Sequence, residues 1–190
     1  MGGRANAVKL LLAGMAASSV CSAFSNFIVY TAHDREGIQT VTYWMMGSMA
    51  GAKWEQNGAV LAVALMGTFF FWTQHRNLNL MLLGDESAIT LGTDLHRWRQ
   101  LYLLVSAAMV GFAVYAAGMI GFVGLVVPHV VRMLFGTDHK KLIPLCALSG
   151  AVFLVWADVS CLVRIEGTEM TIGIFTSIIG AAGFIYHMSR

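Results

Sequence analysis

Charge is what this sequence has least of. Only 12% of its 190 residues are Asp, Glu, Lys or Arg, about half the share a water-soluble domain carries. That is too little to coat a globule against water, and a mean hydropathy of +0.69 agrees. Two prolines exclude a Pro-rich linker. The three cysteines, Cys21, Cys146 and Cys161, form no CxxC and no metal-type spacing. Each lies in an apolar run, where cysteine behaves as a small hydrophobe. A net charge of +2 disfavours a nucleic-acid binder, and 57% hydrophobic residues exclude disorder. No G-x-x-x-x-G-K-[ST], H-E-x-x-H or G-x-S-x-G is present, so neither a phosphate-binding loop nor a hydrolytic site is written into the chain.

What is present is a series of long uncharged runs. A bilayer core of about 30 Å needs about 20 helical residues, and the gaps between charges supply them. Residues 10–32 make a first span, too long for the apolar core of a cleaved signal peptide. Residues 56–74 make a second. The gap between Arg99 and Arg132 is too long for one upright helix and carries Gly118, Gly121 and Gly124 in its middle, which predicts two helices with a break at the glycines. Residues 142–163 and 170–188 make the fifth and sixth. Residues 38–50 are short, uncharged and rich in Trp, Tyr and Met, which predicts a half-helix at the membrane interface. The expected fold is therefore all-α: a polytopic helical membrane protein, one transmembrane domain over residues 1–190, with about six spans. Nine of the twelve cations fall on the loops of one side, so that side is expected to be cytoplasmic. An even number of spans then places both termini there.

One loop is longer than the others. Residues 75–98, HRNLNLMLLGDESAITLGTDLHRW, predict two short helices joined at Gly84. Asp85 and Glu86 favour the positive end of the second helix's dipole, and Gly92 is placed to stop it. Such a hairpin suits either a docking surface for a soluble partner or an interfacial linker. Among the polar residues, His129 follows Pro128 within an apolar run and has no second His, Cys or carboxylate at helical spacing. A structural or gating role fits it better than metal ligation. Arg132 is placed to snorkel from a helix end. Asp138-His139-Lys140-Lys141 reads as a short charged loop rather than a metal or phosphate cluster, and Asp158 is the one acid within a span.

These residues carry a resemblance. LNLMLLGDE at 78–86, with Ala88, Leu91 and Gly92, resembles the coupling loop of the FecCD family of ABC importer permeases. GMIGFVGLVVPHVVR at 118–132 resembles that family's G-x-I-G-F-V-G-L-x-V-P-H-x-x-R. TDHKKLIP at 137–144 resembles its DHR-x-LLP, and the segments at 11–14, 44–48, 154–158 and 169–173 resemble further family motifs. The sequence departs from the family at Thr171 and Ala182, where proline is the rule, and at Leu162, where arginine is common.

The resemblance implies a permease subunit of a bacterial importer for iron-siderophore, haem or cobalamin-type chelates, multi-pass in the inner membrane. It has no catalytic residues or cofactor of its own. ATP-binding subunits would grip the coupling loop at Leu83, Gly84, Asp85, Glu86, Ala88, Leu91 and Gly92. Gly118, Gly121, Gly124, Pro128, His129 and Arg132 would serve gating or structure. Arg164 and Glu169 would meet a periplasmic or lipoprotein binding protein, and a second permease subunit would complete the path. The resemblance covers only the last six of the family's roughly ten spans, so the first four are expected to be truncated, split off or supplied by another chain. Six alone are not expected to transport. Two other classes compete with this reading: a non-transporting remnant or accessory membrane protein, and a membrane metalloenzyme built on His129, Asp138 and His139.

Overall fold

The computed structural model describes residues 7–31, 35–49, 52–84, 95–163 and 171–188, and every described element is helical. The helices are α1 (Ala7–Thr31), α2 (Arg35–Met46), α3 (Trp54–Thr73), α4 (His75–Leu82), α5 (Leu95–Ala117), α6 (Val123–Phe135), α7 (His139–Val163) and α8 (Ile172–Met188). The chain divides into two units, Met1–Tyr43 and Trp44–Arg190.

In the first unit, α1 is a 25-residue helix, long enough at 1.5 Å per residue to cross a bilayer. Leu11, Val20 and Phe24 are each about two-thirds exposed, with no apolar stripe set apart from a polar one. Ser19 and Thr31 donate their hydroxyls back to the helix's own carbonyls, which removes the cost of carrying them through lipid.

The second unit carries the rest. By length and composition the described residues hold three helices able to cross a membrane: Lys9–Thr31, Arg97–Ala117 and His139–Cys161. A fourth is formed if Asn57–Thr73 and His75–Leu82 are taken as one bent pair, with 61° between them. Val123–Phe135 and Ile172–Ala181 are shorter apolar helices. The six expected spans thus each have a helix, but α6 does not match its expectation. Its 13 residues reach only about 20 Å, so the break before it lies within the depth of a bilayer rather than at its surface. The half-helix begins three residues earlier than expected and stops at Gly47, whose φ is +76°.

The core is thin. Val127 and Val131 of α6 pack on Leu142 of α7, with Val123, Leu145, Cys146 and Phe153 around them. Ala157 and Cys161 of α7 meet Ile172 of α8, flanked by Met49, Ile120 and Phe175. Leu65, Met66, Leu104, Leu125, Leu148 and Trp156 all stay more than 60% exposed. Facing water, so much large apolar surface would drive aggregation. Facing lipid it costs nothing, so the second unit is a membrane domain whose helix flanks face hydrocarbon.

Candidate functional site

Two places draw several helices together. The first is the joint between α3 and α4. Gln74 turns the chain, and its Oε1 accepts from Asn77 Nδ2 at 2.8 Å and from the hydroxyl of Tyr102 on α5 at 3.3 Å. Tyr102 is only 6% exposed and its ring lies against Phe70, Phe71 and Trp98 at centroid distances of 5.8–6.0 Å. His75 Nδ1 donates to the Trp72 carbonyl at 2.8 Å. The bend is thus fixed by side chains on both sides of it.

From this joint α4 reaches the start of α7. The backbone N–H of His139 can only donate, and it points at the side-chain amide of Asn79 at 3.0 Å, so the amide oxygen must face it. The same oxygen accepts from His139 Nδ1 at 2.7 Å. Asn79 Nδ2 then points at Asp138 and donates to its Oδ1 at 2.9 Å. That carboxylate oxygen also accepts from the Lys140 backbone N–H at 3.1 Å, which makes Asp138 the N-cap of α7. The Asn79 amide, then the Lys140 N–H, hold the Asp138 carboxyl below its ordinary range. Asp138 therefore remains an anionic acceptor well below neutral pH.

A second contact joins the same elements. Pro144 lies inside α7 and has no N–H to give to the carbonyl of Lys140 four residues back. The indole Nε1–H of Trp72 donates to that carbonyl instead, at 3.2 Å. The two residues are coupled, and a double-mutant cycle reads the coupling. Trp72→Phe is expected to cost about 1 kcal/mol of stability in the native sequence. With Pro144→Ala in place it is expected to cost close to nothing, because the new backbone N–H claims the carbonyl first. Equal losses in both backgrounds, measured by thermal unfolding in detergent, would show that the indole bond contributes nothing.

The second meeting place is at the other end of α7. Gly47, Gly118 and Gly173 come from the end of α2, the α5–α6 break and the first turn of α8. At Gly118 (φ +70°) a Cβ would strike the Trp44 carbonyl oxygen, and at Gly173 it would strike that of Met46. At Gly47 (φ +76°) it would lie 2.9 Å from the Met119 oxygen. Three backbones therefore touch without side chains between them. The Ser48 N–H donates to the Ala117 carbonyl at 2.9 Å, so the irregular segment meets the requirement that backbone at membrane depth be paired. Phe122 opens α6 with φ +64°, a left-handed conformation that a bulky residue adopts only under strain. It sits over Gly180 of α8, where a Cβ would come within 2.5 Å of the Phe122 Cβ.

Of the residues singled out from sequence, Gly118 is in this junction and Gly121 borders it, with Ser177 Oγ 3.7 Å from where its Cβ would be. Gly124 is not part of the break: it lies in the first turn of α6 with nothing within 4 Å. Pro128 and His129 are half-buried on α6, and Arg132 is exposed in its last turn. Leu83 ends α4 and Gly84 follows with φ +90°, a left-handed helix stop of the kind expected there. Asp85, Glu86, Ala88, Leu91, Gly92, Arg164 and Glu169 lie outside the described residues. Among the described residues no group of three His, Cys, Asp or Glu could hold a metal ion. Asp138 and His139 are engaged by Asn79, which removes two of the three residues the metalloenzyme alternative relied on. Asn79, Trp72 and Tyr102 were not foreseen as site residues. The one available signal was Pro144 near a helix start, which announces an orphan carbonyl and hence a donor from elsewhere.

The profile of the FecCD transport family matches residues 1–190. The chain is 42% identical over 177 residues to the cobalamin import system permease protein BtuC of Halobacterium salinarum, covering 93% of this chain and 47% of that protein. It is 39% identical over 178 residues to the vitamin B12 import system permease protein BtuC of Salmonella typhi, covering 94% and 54%. A solved metal-chelate type ABC transporter in an inward-facing conformation superposes with a TM-score of 0.89 at 31% identity, over 95% of this chain and 58% of that one. The chain spans about half the length of the curated relatives it matches.

Proposed function

Because this chain belongs to the FecCD transport family, we propose that it acts as membrane-spanning permease sequence of an ATP-driven importer of cobalamin-type chelates. The observation that carries this is the 42% identity to a cobalamin permease over 93% of the chain. Haem and iron-siderophores are the neighbouring chelates such a path would suit. The chain contributes no chemistry. ATP is hydrolysed in separate cytoplasmic subunits, a binding protein delivers the ligand from outside, and a second permease subunit faces this one across the path. The protein is multi-pass in the inner membrane, with both termini and the α4 hairpin on the cytoplasmic side. Nucleotide binding in the partner biases the membrane domain between two arrangements.

In this reading α4 is the first arm of the coupling element. The left-handed stop at Gly84 turns the chain into residues 85–92, and Asp85 and Glu86 supply the charge that the ATP-binding subunit grips. Arg164 and Glu169 serve the binding protein on the opposite face. The experiment is co-purification from detergent-solubilised membranes with the ATP-binding subunit. Wild type is expected to retain it, and the paired reversal Asp85→Lys, Glu86→Lys is expected to lower retention by about tenfold or more. Full retention by the reversed variant would remove the coupling assignment from this loop.

A further inference from the structure

We infer that the hydrogen-bonded latch of Asn79 on Asp138 and His139 makes α7 the rod through which movement of α4 reaches the Gly47–Gly118–Gly173 junction. This rests on the importer reading and specifies how the motion enters the membrane domain. The α3–α4 connection is a bend of 61°, and a bent joint transmits a push poorly along the axis of α3. The latch is different. Asn79 engages α7 with both halves of its amide, and a second bond, from Trp72 to the Lys140 carbonyl, ties the end of α3 to the same turn. These contacts fall on the N-cap and the first two residues of a 25-residue helix, which carries a displacement of its first turn to its far end.

The far end of that helix carries Ala157 at 1% and Cys161 at 6% exposure, packed with Ile172, Met49 and Ile120. Those three residues belong to the segments that hold Gly173, Gly47 and Gly118. Backbones in direct contact cannot absorb a displacement by side-chain rotation, so a shift of α7 must move the junction as a body. Asn79 is thus a positioning residue. It acts by holding α4 and α7 in register.

The test uses the complete transporter: the full permease with its ATP-binding subunit and binding protein in liposomes, with cyanocobalamin uptake and ATP hydrolysis measured in parallel. Asn79→Asp removes the donor to Asp138 and sets two carboxylates together. It is expected to cut uptake per ATP hydrolysed by about tenfold, a common size for coupling between sites, while the ATP-binding subunit stays bound. Adding Asp138→Asn restores a donor–acceptor pair of reversed polarity, and uptake per ATP is expected to return to within about twofold of wild type. Asn79→Ala, which breaks the latch without adding charge, is expected to lose coupling as Asn79→Asp does.

Wild-type uptake per ATP in either single variant, or no recovery in the double variant, would overturn the latch. So would failure of both single variants to assemble, since Asn79 would then serve folding alone. Failure of the importer reading has a separate signature, in which wild type itself shows no ATP-driven cyanocobalamin uptake.

Discussion

Replacing Gly118 by alanine is expected to abolish the folded membrane domain, whereas the same change at Gly124 is expected to be harmless. At Gly118 two costs coincide. The backbone is left-handed at φ +70°, which charges any residue with a Cβ about 1–2 kcal/mol. The added methyl group would also occupy the position of the Trp44 carbonyl oxygen and lie 3.1 Å from Gly47 Cα. Neither neighbour is the end of a flexible side chain. Relief requires α5 to separate from the end of α2, which would also break the bond from Ser48 N–H to the Ala117 carbonyl and leave both groups unpaired within hydrocarbon. A combined loss of about 4 kcal/mol or more follows, which few single substitutions reach. At Gly124 the residue is helical and the space around the new methyl is open, so alanine gains up to about 1 kcal/mol of helix propensity. Size-exclusion profiles and thermal midpoints of the two variants in one detergent decide the matter. A monodisperse, wild-type-like Gly118→Ala protein would show that the junction is loose and that its close backbone contacts carry no stability.

The contrast between these two glycines marks how far the sequence could be read. Charge scarcity and run length located a described helix for each of the six expected spans, because the need to cross hydrocarbon acts on composition itself. The stop at Gly84 and the break near Gly118 were legible for the same kind of reason: a glycine between apolar runs is a local signal. Which glycine does what was not legible. Gly118, Gly121 and Gly124 look equivalent in the sequence, yet the left-handed position goes to Gly118 and then to Phe122, passing over Gly121, which would have adopted it at no steric cost. Phe122 takes it because α8 offers Gly180 beneath its Cβ, a partner 58 positions away.

Asn79 and Asp138 were likewise each visible as polar residues near helix ends. Their pairing across 59 positions depends on the direction of the α3–α4 bend, and no periodicity reports that direction. The 13 residues of α6 fall short of a full span because the chain leaves the helix from Gly118 to Phe122, at the glycines where the sequence places the break.

Tyr102 gives the second large effect and separates packing from hydrogen bonding at the α3–α4 joint. The side chain is buried in a unit where few side chains are, and three rings lie within 6.0 Å of its own. Tyr102→Ala removes all three contacts and opens a cavity beside the bend, at a cost of about 3–5 kcal/mol by analogy with buried aromatic truncations. Tyr102→Phe keeps the ring and deletes the hydroxyl's hydrogen bonds, the 3.3 Å bond to Gln74 Oε1 and that with the Asn77 side chain, while Gln74 Oε1 still accepts from Asn77. Since the acceptor is not orphaned, about 0.5–1 kcal/mol is expected. The thermal midpoint should therefore fall steeply for alanine and slightly for phenylalanine. The same pair bears on the proposed importer role: if that role holds and aromatic packing sets the bend, Tyr102→Phe leaves association with the ATP-binding subunit unchanged while Tyr102→Ala weakens it. An equal loss of stability in both variants would instead place the Gln74 hydrogen bond, not the rings, in control of the angle at which α4 leaves the membrane domain.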